Sequence, residues 1–202
     1  MQAHNLGLTA LVVERCRKRL ALDPEHGATW TMLGLAFVDL ARYGDAEAAL
    51  EKALALISGG WRRVVYWELG RLDHARGDFR RAISWFRKGA RLKPRDGIYW
   101  AMGAHSASAM GNHRLAEKLL RKALTCTDGC PDECWFNLGG ALLALDRWEE
   151  ARECYLKAIA IDPKYGIAKK RLKDVELALA ERAQTSPKPS NPRRSRRAAA
   201  KR

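Results

Sequence analysis

Residues 135–163 read WFNLGGALLALDRWEEARECYLKAIAIDP, and this stretch decides the fold. The first half has apolar or small residues at the spacing i, i+3, i+4 and i+7, which lie on one face of a helix: Trp135, Leu138, Gly139 and Leu142. The second half repeats the helical spacing with Ala151, Tyr155 and Ala158. Between the halves, Asp146-Arg147 marks a short turn. The stretch therefore predicts two amphipathic helices that pack against each other.

The same pattern occurs four times along the chain. The aromatic residues that start the units are 36, 34 and 35 residues apart: Trp30, Tyr66, Trp100 and Trp135. The positions at which helices must approach closely are all small: Gly34, Gly70, Ala104 and Gly139 in first helices, and Ala46, Ala53, Ala82, Gly89, Ala116, Ala123, Ala151 and Ala158 in second helices. This period indicates an array of tightly packed helix pairs, in which the tryptophans act mostly as core wedges.

These units resemble the tetratricopeptide repeat family, whose signature is W-x2-L-G-x2-Y, then A-x3-F, then P, on a period of about 34 residues. The resemblance covers residues 28–163. It departs from the pattern at Asp73 and Ala107, which replace an aromatic, and at Ser58 and Asp128, which replace the proline. The resemblance implies an all-α fold, a right-handed superhelical solenoid of antiparallel helix pairs.

The expected organisation has four parts. Residues 1–26 form an N-terminal half-repeat helix, residues 27–163 form four repeats (27–60, 61–96, 97–131 and 132–163), residues 164–183 form a C-terminal capping helix, and residues 184–202 form a disordered basic tail. The flanking helices are expected to turn an apolar stripe inward: Leu8, Leu11, Val12, Cys16 and Leu20 at one end, and Ile167, Leu172, Val175 and Leu179 at the other.

The first helices of such an array line a concave groove, which is the expected binding surface. Positions that follow the marker aromatics and rotate out of the core give the candidate peptide-binding residues: Thr31, Leu35, Trp67, Arg71, His74, His105 and Phe136. Aromatic and arginine anchors are typical of peptide recognition. The alternative for Trp67 is packing against Tyr66 and the first helix of the next repeat. The Lys and Asn clamp by which some family members hold a C-terminal carboxylate is absent, since Thr31, Leu35, Glu68, Ala101 and Met102 occupy its positions.

The charge of the chain is concentrated at its C-terminus. The formal net charge is +14, and seven of those charges come from the tail: Lys188, Arg193, Arg194, Arg196, Arg197, Lys201 and Arg202. Such a tail could bind the phosphates of nucleic acid or the ribosome, contact anionic lipid weakly, act as a nuclear import signal, or have no dedicated partner. It has no aromatic residue on which bases could stack.

The sequence offers no site for chemistry. Catalytic and nucleotide-binding motifs are missing, and no histidine has a nucleophile and a carboxylate at usable helical spacing. Cys126, Cys130 and Cys134, with Cys154 as a distant fourth, are read as loop and helix-end thiols rather than as a metal site. The odd cysteine count, the lack of a long apolar run and the absence of a signal-like N-terminus predict a cytoplasmic protein.

The sequence thus predicts a non-catalytic adaptor, without cofactor or metal, that binds a peptide segment of another protein. The alternative is a nucleic-acid- or ribosome-associated factor that acts through the basic tail. Nothing in the residues indicates the oligomeric state.

Overall fold

The computed structural model describes residues 2–185, which form ten α-helices, a short 3₁₀ helix and no strand. The helices are α1 (Gln2–Leu22), α2 (Gly27–Asp39), α3 (Tyr43–Leu56), α4 (Arg62–Ala75), α5 (Phe79–Leu92), α6 (Ile98–Ala109), α7 (His113–Leu124), α8 (Pro131–Leu143), α9 (Trp148–Ile161) and α10 (Gly166–Thr185). The 3₁₀ helix, Gly59–Trp61, precedes α4. The seven basic residues of the tail lie outside the described residues.

The helices pack in order along the chain. Each of the four pairs α2–α3, α4–α5, α6–α7 and α8–α9 is packed internally and against the next pair, while α1 packs on α2 and α10 packs on α9. The predicted all-α solenoid of helix pairs is therefore confirmed. The helix α10 ends at Thr185, two residues beyond the predicted capping helix.

The turn inside each pair has the same backbone conformation in all four pairs. The residue five places before the first small residue of each second helix has a positive φ: Ala41 (56°), Gly77 (82°), Gly111 (75°) and Asp146 (62°). Glycine adopts this left-handed region without the steric cost that a Cβ atom brings. At two turns, side chains also cap the second helix, because Asp78 accepts from the Arg81 backbone N–H and Asn112 from that of Leu115.

The small residues sit at close helix crossings, as predicted. A Cβ atom at Gly139 would lie 2.7 Å from the ring of Tyr155, and one at Gly70 would lie 2.6 Å from the ring of Phe86. In the third pair the matching small residue is Ala104, which is buried, while at Gly103, one place earlier, a Cβ atom would meet Leu119 at 3.5 Å, an ordinary van der Waals distance. Close packing therefore requires glycine at residues 70 and 139, whereas residue 103 has room for a methyl group.

The tryptophans are not the core wedges that the sequence suggested. Trp30, Trp100 and Trp135 are half-buried and pack against the edge of the core, whereas side chains such as Leu138, Phe86 and Tyr155 are almost fully buried inside it. The indole N–H of Trp30, for example, donates to the carbonyl of Pro24 at 2.7 Å, which keeps that edge of the ring at the surface. A large ring with a polar edge suits this position between core and solvent.

The inward faces of the flanking helices differ in detail from the prediction. Leu8 and Leu11 are 53% and 43% exposed, whereas the predicted Cys16 and Leu20 are buried together with Val13, and Val12 packs partly against the same core. Among residues 7–22 of α1, the buried positions begin at Val13, so the predicted stripe is wrong at Leu8 and Leu11. On α10, Ile167 is 61% exposed, whereas the adjacent Ala168 and the predicted Val175 are buried; Leu172 and Leu179 pack partly against the same core.

Candidate functional site

A cavity of about 620 Å³ opens between the first helices α6 and α8 and the end helix α10. The two predicted residues His105 and Phe136 both line it. Further lining residues are Ser108, His113, Asn137, Gly140, Leu143, Tyr155 and Arg171. We call this space the groove cavity. It is large enough to hold side chains of a bound peptide.

The groove cavity combines an apolar wall with free polar groups. Phe136 lies against Tyr155 and Tyr165, with ring centroids 5.7 and 5.2 Å apart. Asn137 and Arg171 line the same cavity and are exposed, and their side chains make no hydrogen bond or ion pair with any other residue of 2–185. Gly140 is exposed as well, and a Cβ atom there would reach only the Tyr155 hydroxyl, at 4.0 Å. A ligand therefore finds an apolar surface beside an amide and a permanent cation.

The two histidines of the predicted site are in contact. The rings of His74 and His105 meet edge to face with centroids 4.7 Å apart, and His74 Nδ1 lies 3.0 Å from Ser106 Oγ. Ser106 donates its hydroxyl proton to the carbonyl of Met102 at 3.1 Å, which leaves its oxygen able to accept a hydrogen bond from the imidazole of His74. Burial, and then the neighbouring His105, lower the pKa of His74. His74 is thus held neutral beside the exposed His105.

The predicted cation of the groove is already neutralised. Arg71 pairs with Glu68 at 2.9 Å and with Asp39, from the preceding repeat, at 3.3 Å. Burial raises the pKa of Glu68, while Arg71 acts in the opposite direction. Because two carboxylates hold the guanidinium, Arg71 offers less attraction to an anionic ligand than the unpaired Arg171 does.

Trp67 and Thr31 make internal contacts. The ring of Trp67 packs edge to face on Phe86 and on Tyr99, at 5.7 and 5.6 Å. The alternative of packing on the next first helix is therefore realised through Tyr99, whereas Tyr66 stacks on Trp85 instead. Thr31 is buried and donates its hydroxyl to the carbonyl of Gly27. Leu35 is half-buried on α2. The structure thus does not bring these residues into the groove cavity.

Sequence reasoning missed Asn137 and Arg171. Asn137 lies two places after Trp135, whereas the candidates were taken one, five and eight places after the marker aromatics. The basic face of α10, which includes Arg171, was read as the solvent side of a capping helix. Asn137 would have been found by also considering the residue two places after each marker aromatic. Arg171 could not be found in this way, because it lies on α10, beyond the last repeat.

The cysteine cluster does not form a metal site among the residues that the structure describes. Within 2–185 there is no group of three His, Cys, Asp or Glu side chains placed to hold a metal ion. Burial raises the pKa of Cys134 and of Cys154 to about 11, which keeps both as thiols. Cys126 lies 3.5 Å from the carbonyl of Pro94. In the same range, no helix combines the length and the apolar character needed to cross a membrane.

The comparisons with known proteins agree with this architecture. Family models of the tetratricopeptide repeat match residues 31–97 and 132–165. No curated protein matches the sequence. Among solved structures, the C-terminal part of a repeat-containing protein from Cytophaga hutchinsonii is similar at a TM-score of 0.76 and 14% identity, over 91% of this chain and 70% of that one.

Two further structures are similar to this chain and concern peptide binding. YrrB, described as having an unusual peptide-binding site, has a TM-score of 0.65 and 20% identity, over 84% of this chain and 86% of its own. The first repeat domain of Spaghetti (RPAP3), bound to the HSP90 peptide SRMEEVD, has a TM-score of 0.55 and 22% identity, over 60% of this chain and 95% of its own. At these identities the likeness shows the fold.

Four helix pairs stacked in register, with helices at both ends, define an α-solenoid repeat protein. With repeats matched from residue 31 to 97 and from 132 to 165, the chain belongs to the tetratricopeptide repeat family. The family fold supports a role in protein–protein interaction, and its members are typically non-catalytic scaffolds.

Proposed function

We propose that the chain is a non-catalytic adaptor that binds a peptide segment of a partner protein in the groove cavity. The observation that carries this proposal is the convergence of Phe136, Asn137 and Arg171 on one cavity of about 620 Å³. These three side chains come from α8 and α10, so the site needs the folded array and not a single helix.

The groove cavity fits a segment with one apolar side chain next to a carboxylate or a carbonyl oxygen. The apolar group would contact Phe136 and Leu143, and the oxygen would accept hydrogen bonds from Asn137 and Arg171. His105, on the opposite wall, adds an imidazole that is exposed to solvent. The solved structures of YrrB and of Spaghetti, both described with peptide binding, support a peptide as the class of ligand.

The proposal includes a cytoplasmic location and a role without cofactor or catalysis. It is supported by the cysteines, since Cys16, Cys134 and Cys154 are buried as free thiols, a state that suits a reducing compartment. The proposal also keeps the division of the chain that the sequence predicts, with four repeats between an N-terminal helix and a C-terminal capping helix. The tail remains a second means of binding, which the test below separates from the groove.

The test places a large side chain in the groove cavity. In the full chain, Gly140→Phe should place a ring in this space, since Gly140 lines the cavity and the nearest atom to a Cβ there is 4.0 Å away. Peptides selected from a displayed random library on the wild-type chain should lose binding to this variant. The matched control is Gly44→Phe, at a helical glycine with nothing within 4 Å of its Cβ position and outside the groove cavity.

Capture of partners from native lysate provides a second measurement. We expect the partners to be captured after nuclease treatment as well as before it, to be captured by the Gly44→Phe control, and not to be captured by Gly140→Phe. If the selected peptides and the captured partners bind Gly140→Phe as well as they bind the wild type, the groove cavity is not the binding site. Partners that disappear only with nuclease would support the tail instead.

A further inference from the structure

A second hollow, of about 490 Å³, lies between the second helices α5 and α7. Its walls are apolar and its rim is basic: Ile83, Trp100, Leu115 and Leu119 form the walls, and Arg87, Lys118, Arg121 and Lys122 form the rim. We call it the outer trough. It shares no lining residue with the groove cavity, so it is a separate surface.

The preceding repeat fills the place that the outer trough leaves open. In the second repeat, Tyr66 occupies the position that Trp100 has in the third. The ring of Trp85 stacks on Tyr66 and covers it, with the two ring centroids 5.7 Å apart. Leu119 stands at the position of Trp85 in its own repeat, three places after the small residue, and is too short to cover the indole of Trp100. The outer trough therefore opens at the place that the ring of Trp85 covers in the second repeat.

Within residues 2–185, the third repeat also lacks a lysine–tryptophan contact that the second and fourth repeats have. Lys88 Nζ lies 3.7 Å above the ring of Trp85, and Lys157 Nζ lies 4.4 Å above that of Trp135. Lys122 stands at the matching position of the third repeat, but no cation or ring contacts Trp100 within the described part of the chain. The half-buried indole of Trp100 thus keeps a surface for a ligand.

The rim of the outer trough has uncompensated positive charge. Within residues 2–185, Arg87, Lys118 and Lys122 make no ion pair, and only Arg121 is paired, with Glu117 at 2.9 Å and Glu150 at 3.7 Å. No acidic residue lines the hollow. Three free cations around an apolar hollow attract negative charge on either side of an apolar group.

The chain contains a comparable hollow with a different rim. Between α1 and α3, a space of about 650 Å³ lies over Trp30 and is lined by Arg17, Asp45 and Lys52 together with apolar residues. Asp45 places a carboxylate on this rim and pairs with Arg42. This hollow therefore has the shape of the outer trough without its uniform charge, and it serves as an internal control.

We propose that the outer trough binds an acidic segment of a partner protein in which a large apolar or aromatic side chain is flanked by Asp or Glu. The apolar side chain would enter beside Trp100 and Leu119, and the carboxylates would pair with Arg87, Lys118 and Lys122. A peptide fits better than a nucleic acid, because a phosphate backbone would use the cations but leave the walls of Ile83, Leu115 and Leu119 unfilled. This proposal does not depend on the groove cavity.

The test measures binding of labelled synthetic peptides to the full chain by fluorescence anisotropy. The first peptide is rich in glutamate with a central tryptophan, and the second has glycine in place of that tryptophan. The first should bind more tightly than the second, because attraction to the basic tail is common to both. A single-stranded oligothymidylate serves as the nucleic-acid probe.

Three variants locate the binding. Arg87→Glu combined with Lys118→Glu should weaken the tryptophan peptide by about tenfold or more. Leu119→Trp, which copies the second repeat, should remove the advantage of the tryptophan peptide over the glycine peptide. Arg17→Glu combined with Lys52→Glu changes the same charge on the α1–α3 hollow and should leave that advantage unchanged.

Several results would overturn the proposal. The first is equal affinity of the wild type for the tryptophan and glycine peptides. The second is a loss of tryptophan-peptide affinity in the Arg17 and Lys52 variant as large as that in the Arg87 and Lys118 variant. The third is a loss of oligothymidylate binding in the Arg87 and Lys118 variant that exceeds its loss of peptide binding. The last result would make the surface a nucleic-acid site. If Leu119→Trp loses its helical circular dichroism, the charge variants, which alter only surface residues, decide the question.

Discussion

The indole N–H of Trp85 donates to Oδ2 of Asp73 at 2.9 Å, which ties the first and second helices of the second repeat together. The Asp73 carboxylate is 1% exposed and also lies 3.4 Å from Arg81 Nε. Asp73 stands where the family pattern has an aromatic residue. The second repeat thus replaces a ring contact with a buried, charge-assisted hydrogen bond.

Removal of this carboxylate should destabilise the array. Asp73→Ala leaves the indole N–H of Trp85 without its acceptor, which costs about 1–3 kcal/mol. Asp73→Asn keeps an acceptor oxygen and removes a buried charge. Burial raises the pKa of Asp73, so the folded state disfavours the ionised form, and the contribution of Asp73 to the free energy of unfolding should rise as the pH falls through the raised pKa. Urea denaturation at neutral and acidic pH, followed by circular dichroism, measures both effects.

The asparagine variant is the informative control. We expect Asp73→Asn to be at least as stable as the wild type at pH 7 and to lose the rise in stability at acidic pH. Equal damage from Asn and Ala would instead mean that the charge pairing with Arg81 stabilises the repeat more than burial of the charge costs.

The glycines at the helix crossings should differ in their tolerance of alanine. Gly139→Ala places a methyl group 2.7 Å from the buried ring of Tyr155 and should cost about 1–3 kcal/mol by overpacking. Gly103→Ala meets Leu119 only at 3.5 Å and should stabilise the array by about 0.5–1 kcal/mol, because alanine has the higher helix propensity. Urea midpoints of the two variants, compared with the wild type, should move in opposite directions.

The turns allow a second matched pair of substitutions. Ala41 has a φ of 56°, so Ala41→Gly should stabilise the first repeat by about 1 kcal/mol through relief of backbone strain. Gly77 has a φ of 82°, so Gly77→Ala should destabilise the second repeat by about the same amount. No atom lies within 4 Å of a Cβ at Gly77, so a loss there reports the backbone alone. Thermal melting of both variants checks this, and changes of the same sign would contradict it.

His74 should give the array a dependence on mildly acidic pH. Its pKa is lowered below 6.5, so the unfolded chain takes up a proton first, and this contribution to stability falls as the pH drops below 6.5 towards the lowered pKa. His74→Gln should flatten this part of the stability curve. His105→Gln removes a neighbouring charge and should raise the pKa of His74, which a proton NMR titration measures directly. An unchanged pKa would assign the whole shift to burial.

Deletion of residues 186–202 separates the tail from the helices. The deletion removes seven positive charges and leaves α10 complete. We expect unchanged helical circular dichroism and unchanged affinity for the peptides selected on the groove cavity. Any affinity for polynucleotide should drop, together with its salt dependence, since each phosphate contact adds about 0.7–0.9 to the slope of log affinity against log salt. If the selected peptides lose their affinity too, the tail is the functional element.

Sequence reasoning predicted the fold because the helix pairs depend on local spacing. Gly139 and Ala151 follow a short-range pattern that every repeat restates, so four copies reinforce one another. The partners of side chains were harder to predict. Arg71 meets Asp39 from 32 residues earlier, and Trp67 meets Tyr99 from the next repeat, at distances that depend on how successive pairs rotate. The groove cavity also depends on Arg171, which lies outside the repeats.

The space beside Gly103 leaves room for small movements of α6 against Leu119 of α7. At Gly70 and Gly139 the rings of Phe86 and Tyr155 leave no such room. The groove cavity takes His105 from α6, and the outer trough takes Trp100 from the same helix. Because both spaces are lined from α6, a shift of this helix would change the widths of both at once.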